Sequence, residues 1–205
     1  MTEAAMTIDD LLSFKDEEFG EDLKIYVRIR NSGGSVEISY ASVDVDGEIY
    51  DLGHDDAING KIEIVRGDTA MARDQWGPCE GAWQVKWSTA TKGWGPLLYD
   101  VALEYATIHG NGIIADRDEI SDQAIAVWDY YLNNRKQDVD SHQLDDPYNT
   151  RTPEDEDNCD QYLAQFGGMP DWQGPENSLS KRYTKDPTTI EVLNSLKRLK
   201  DETQT

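Results

Sequence analysis

The sequence predicts an α+β fold: a mixed, mostly antiparallel sheet with flanking helices. Three observations predict it. Two segments near the N-terminus, 23–30 and 36–40, alternate apolar and polar residues, the period of a half-buried strand. A later strand, Ala82 to Ala90, is followed by two stretches with helical spacing of apolar residues. Glycine-rich turns separate the segments at Gly33-Gly34, Gly47, Gly93-Trp94-Gly95 and Gly110 to Gly112.

In chain order, Ile8, Leu11, Leu12 and Phe14 suit one short amphipathic turn in an acidic leader. Leu23–Arg30 and Val36–Tyr40 then form a hairpin across Asn31-Ser32-Gly33-Gly34. Asp46-Gly47 turns the chain into a short strand, Glu48 to Leu52, and Lys61–Arg66 reads as the next. The N-terminal half is thus an antiparallel meander. Gly77 to Gly81 breaks the chain before the central strand at Ala82. The helix from Leu97 to His109 has apolar residues at helical spacing, Leu97, Leu98, Val101, Ala102, Tyr105 and Ile108, with Gly110 at the C-cap position. Ile113-Ile114-Ala115 makes a short buried strand. Ser121 caps a second helix whose apolar positions are Ala124, Ala126, Val127, Trp128, Tyr131 and Leu132 and which ends at Asn133-Asn134.

From Lys136 onward the chain is dense in carboxylates, including Glu154-Asp155-Glu156-Asp157, and is broken by Pro147, Pro153, Pro170 and Pro175. Tyr162, Leu163 and Phe166 suit a short helix there. Pro187 opens a final helix through Ile190, Val192, Leu193, Leu196 and Leu199. The expected organisation is therefore a domain over 1–135 and an acidic C-terminal arm over 136–205 that ends in a helix.

With 205 residues, 38% hydrophobic, the chain supports one core of ordinary size. It has no apolar run near the ~20 residues of a membrane span, and no signal peptide is visible. Cys79 and Cys159 read as the unpaired thiols of a cytoplasmic protein. With no Cys-x-x-Cys and only scattered histidines (His54, His109, His142), no metal site is expected. The net charge of −22 argues against direct contact with nucleic acid or anionic membrane, because phosphate contacts need Lys and Arg. It leaves open a cationic partner (an amine or a basic protein), an acidic inhibitor that mimics DNA, or acidity that serves solubility alone.

The turn after the central strand is the segment that suggests a small-molecule site. A glycine turn that opens a helix presents unpaired backbone N–H groups at the positive end of the helix dipole, which suits a phosphate or pyrophosphate. The same glycines also suit a tight strand-to-helix turn. Here the six residues are Ala90-Thr91-Lys92-Gly93-Trp94-Gly95. On these residues the chain resembles the GNAT (Gcn5-related N-acetyltransferase) family, in particular its phage-encoded acetyltransferase-like branch, over about Ala82 to Asn134. That family's loop reads Arg/Gln-x-x-Gly-x-Gly/Ala. Both glycines match, whereas Ala90 stands in place of the Arg or Gln. A second match is Ser121-Asp122-Gln123-Ala124-Ile125-Ala126-Val127-Trp128, against Asn-x-x-Ala-x-x-x-Tyr in the family.

The resemblance implies a GNAT-like fold and an acetyl-CoA-dependent N-acetyltransferase acting on an amine, in the cytoplasm of a host cell or in a virion. It places the cofactor against Ser88, Thr89, Ala90, Lys92, Gly93, Trp94, Gly95 and Ser121. The family's tyrosine protonates the departing thiolate. Trp128 has no comparable acidity, so Tyr131, three residues on, takes the acid role. Asp74 or Glu80, ahead of the central strand, would accept the amine's proton. Two other readings stand beside this one: a catalytically inactive GNAT-like binding or virion-associated protein, which Ala90 and Trp128 favour, and the DNA mimic. A protein partner for the acidic arm is compatible with all three.

Overall fold

The computed structural model describes residues 24–43, 59–66, 81–116, 120–144, 163–164, 170–171 and 177–203. The fold is α+β, with an eight-stranded, mostly antiparallel sheet and three α-helices among the described residues. The strands are β1 (Lys24–Ser32), β2 (Ser35–Val43), β3 (Asn59–Arg66), β4 (Trp83–Ala90), β5 (Ile113–Ile114), β6 (Val139–Gln143), β9 (Lys181–Lys185) and β10 (Leu199–Asp201). Their order in the sheet is β10-β1-β2-β3-β4-β5-β9-β6. The β1–β10 and β4–β5 pairs are parallel. A separate two-stranded pair joins β7 (Leu163–Ala164) and β8 (Pro170–Asp171). The helices are α1 (Gly95–Ile108), α2 (Asp122–Asn134) and α3 (Thr188–Ser195). No helix among the described residues is long and apolar enough to cross a membrane.

The chain divides into two compact units. Unit 1 comprises residues 1–63, 88–102 and 187–205, and unit 2 comprises 64–87 and 103–186. In unit 1, β1 and β2 form the expected hairpin, with Ser32 opposite Ser35. Gly33 and Gly34 both take positive φ (59° and 101°), the signs a two-residue type I′ turn requires. Alternation sends Ile25, Val27 and Ile29 to the buried face with Val36, Ile38, Tyr40 and Ile62. The aromatic pair Tyr40–Trp94 closes this core, with ring centroids 5.8 Å apart. Tyr40 lies over Gly60, where any Cβ would meet the ring at 2.5 Å.

Unit 2 is built on aromatic pairs. Trp83 meets Tyr105 edge-on at 5.6 Å, and Trp128 stacks on Tyr183 at 5.1 Å. Each such pair adds about 0.5–1.5 kcal/mol to the area it buries. Ser121 caps α2 as expected, its hydroxyl accepting the Ala124 N–H at 3.2 Å. Glu104 on α1 and Lys185 on β9 form an ion pair that is almost wholly buried.

Several expectations are corrected. The helix expected at Leu97–His109 begins two residues earlier, at Gly95, because Pro96 is already compatible with a first helical turn. Gly110 does not take the left-handed cap conformation. It is a glycine because a Cβ there would lie 2.2 Å from the Gly81 carbonyl oxygen. Leu163 belongs to a strand pair rather than a helix. The last helix stops at Ser195, and Leu199 continues into β10 beside β1. Its end is a Schellman motif: Lys197 (φ 56°) occupies the left-handed position, its N–H bonds Asn194 O, and the Arg198 N–H bonds Leu193 O. Strands β6 and β9 pair with each other over five residues, β9 pairs with β5, and the last segment lies in unit 1. The segments expected at 8–14 and 48–52, and both cysteines, lie outside the described residues.

Gly112 supplies a direct test of the β5–β9 register. It has φ 87°, and a Cβ there would sit 2.3 Å from the Tyr183 carbonyl oxygen. Gly112→Ala is therefore expected to cost more than the about 1–2 kcal/mol of left-handed strain alone. Urea unfolding monitored by circular dichroism checks this. A loss below about 1 kcal/mol would contradict the close approach.

Candidate functional site

The end of β4 and the turn after it form the candidate site. β4 pairs with β5 only at Trp83 and Gln84, because β5 is two residues long. Residues 83–85 are buried and 86–90 exposed, so the strand emerges toward solvent as it reaches the turn. Within unit 1, Ser88 Oγ and Tyr99 Oη are 3.0 Å apart. Burial pushes the Tyr99 phenol up, an effect only partly offset by Ser88, so the pair stays protonated through the physiological range.

The turn is held from both ends. The Thr91 N–H and hydroxyl both donate to Asn59 O, at 2.9 Å each, and the Asn59 N–H donates to Thr91 Oγ1 at 3.1 Å. Trp94 is buried against Tyr40, so its side chain anchors the turn to the core. Its N–H is already used, donating to Thr91 O at 3.0 Å. Between these anchors Lys92 and Gly93 stand exposed.

Gly93 and Gly95 differ in kind. Gly93 takes φ 88°, so backbone geometry demands a glycine. Gly95 does not take positive φ, and a Cβ there would meet only Ala90 Cβ, at 4.0 Å. Neither conformation nor packing requires glycine at 95. Its lack of a side chain leaves the start of α1 open to a ligand's approach. The first turn of α1 carries no carboxylate, so the positive end of its dipole is not neutralised from within. Pro96 removes one of the four N–H groups such a turn would otherwise offer.

The sequence-predicted residues fall in both units. Ser88, Thr89, Ala90, Lys92, Gly93, Trp94 and Gly95 lie together in unit 1. Ser121 and Tyr131 belong to unit 2, where Ser121 is engaged as a helix cap. Tyr131 is buried, with the Arg135 guanidinium 5.4 Å above its ring. Glu80 and Asp74 lie outside the described residues. Two features were missed by sequence reading. The Ser88–Tyr99 pair was missed because Tyr99 reads as one more residue of an apolar helix. Asp116, which accepts from Gln84 Nε2 at 3.0 Å, was missed because it reads as loop polarity. No group of His, Cys, Asp or Glu among the described residues is arranged to hold a metal ion.

No protein-family model, curated protein or solved structure matches this chain.

Proposed function

We propose that this protein is an acyl-CoA-dependent N-acyltransferase of GNAT-like fold. The observation that carries the reading is Gly95, an unforced glycine at the uncompensated N-terminus of α1, directly after a strand that runs on beyond its parallel partner. In this reading the pyrophosphate of acetyl-CoA takes the turn at Lys92 to Gly95, and the pantetheine lies along the exposed end of β4 at Ser88 to Ala90. The end of the β4–β5 pairing at Gln84 is compatible with this, since the resemblance implies a central strand that splays from its neighbour.

The reaction then runs as acyl transfer. The amine nitrogen attacks the thioester carbonyl carbon, the C–S bond breaks, and the departing thiolate takes a proton from a general acid. Glu80 or Asp74 receives the proton that the amine gives up. A strand N–H polarises the carbonyl oxygen as negative charge develops on it. Exposed Lys86 and Lys92 offset part of the repulsion between a −22 chain and the anionic cofactor.

A second reading, a cofactor-free or inactive binding protein, is favoured by Ala90, which lacks the family's polar contact, and by the burial of Trp128 where the family has its acid. Calorimetric titration with acetyl-CoA separates the two. Saturable one-to-one binding is expected, with at least a tenfold loss in Gly95→Trp. A Cβ at 95 meets nothing closer than 4.0 Å, and circular dichroism of Gly95→Trp establishes that the variant is folded before its binding is compared. The acyl-CoA reading fails if acetyl-CoA does not bind at low or moderate salt, or binds a folded Gly95→Trp equally well.

A further inference from the structure

The unit 1 sheet carries a second feature, a groove on the face of Arg28 and Arg30 whose lining reaches Asn59 and Thr89 beside the turn. Strand alternation puts Tyr26, Arg28 and Arg30 on that face of β1 and Ser39 opposite Arg28. Lys61 joins them from β3, and Lys200, in register with Arg28, from β10. These side chains line a groove of about 700 Å³, within the range of small-molecule sites. The cations are solvent-accessible: Lys200 is 67% exposed and Arg30 46%. Tyr26, 40% exposed, supplies an aromatic surface beside them.

The electrostatics are local and reversed in sign from the whole chain. Glu37, nearly buried, takes ion pairs from Arg30 and Lys61, and Glu202 takes them from Arg28 and Lys200. Glu63, two residues from Lys61 on the same face of β3, is a third carboxylate and accepts from the Ser35 hydroxyl at 2.5 Å, so four cations face three carboxylates, an excess of one positive charge on a protein of net charge −22. The Glu202 carboxyl reports the same potential. It is held below the usual range by its hydrogen bond from Lys200 and by the charges of Lys200, Arg28 and Arg30.

We infer that this groove binds a compact organic polyanion, a nucleotide-sized molecule with phosphate groups and an aromatic ring. The guanidinium groups of Arg28 and Arg30 suit phosphate oxygens, which they can meet in bidentate fashion. Tyr26 suits a planar ring. Compactness follows from the charge distribution. A small polyanion keeps all its charge within a Debye length, ~8 Å at physiological salt, of the four cations. An extended one, such as nucleic acid or an acidic polypeptide, carries most of its charge beyond them, toward a strongly acidic protein.

The test is calorimetry on the full chain with guanosine 5′-triphosphate (GTP) and with inorganic tripolyphosphate. Both are expected to bind one-to-one and to weaken with salt. Arg28→Gln with Arg30→Gln should weaken both at least tenfold, and Lys200→Gln should weaken both by a smaller factor. Tyr26→Ala should weaken GTP but not tripolyphosphate. Lys200→Gln, at an exposed side chain, keeps the test decisive should the double variant fail to fold. Absence of saturable binding by either anion overturns the proposal, as does binding that neither the arginine pair nor Lys200→Gln alters. Tighter binding of a poly-glutamate peptide or a short oligonucleotide overturns it too. Gly95→Trp should leave GTP binding unchanged, and its loss there would move the anion to the turn and overturn the groove. Loss of acetyl-CoA binding alone in Gly95→Trp, or its absence altogether, bears only on the acyltransferase reading.

Discussion

Lys185→Met is expected to destabilise the protein by about 3–5 kcal/mol, because it strands the charge of Glu104 in the interior of unit 2. Glu104 is 0% and Lys185 2% exposed, and they reach each other from α1 and β9. Removing one partner takes the Lys185 counter-charge from a carboxylate that is shielded from water. Removing both avoids this: the double change Glu104→Leu with Lys185→Met should restore stability to within about 1 kcal/mol of the parent or exceed it, since the desolvation cost of both ions disappears with their attraction. Urea unfolding of the parent, both single variants and the double completes the cycle. If Lys185→Met costs less than about 1 kcal/mol, the pair is not buried as described.

Trp128→Ala is expected to cost a similar about 3–5 kcal/mol through the cavity it leaves. Trp128 is 1% exposed and stacks on Tyr183 with 24° between the ring planes. Tyr183 in turn donates its hydroxyl to Ser178 O at 2.7 Å, so the loss propagates to the segment that leads into β9. Trp128→Phe keeps an aromatic face against Tyr183 and should recover more than half of the loss. Thermal denaturation of the three proteins decides it. Equal losses for Ala and Phe would show that the stack contributes little and that the indole's bulk contributes most. The result also bears on the position's chemistry, since a residue so enclosed by its own core acts in packing rather than as a proton donor to a ligand.

The local elements were legible where one rule dominates. The hairpin is an alternating pattern around two glycines, and α2 is an apolar stripe behind a serine cap. α1 was legible apart from its first turn. These depend on side-chain periodicity and backbone preference, which neighbouring residues alone set. Strands β6 and β9 were not legible. Val139–Gln143 and Lys181–Lys185 show little apolar alternation, and they become strands because their backbones find each other and β5 across 38 or more residues of chain. The end of α3 was missed for a related reason: the left-handed position of its Schellman cap holds Lys197 rather than a glycine, and Leu199 is drawn into a parallel ladder with β1.

The candidate site divides in the same way. The sequence by itself determined the turn, its two glycines, the helix that follows and the acidic balance of the chain, because each is a property of contiguous residues or of composition. Only the tertiary structure decided that Gly93 is forced and Gly95 is not, that Ser88 meets Tyr99, that Glu104 meets Lys185, and that four cations from β1, β3 and β10 share one face. Those facts depend on which strand lies beside which. Long-range pairing sets that arrangement, and local pattern does not encode it.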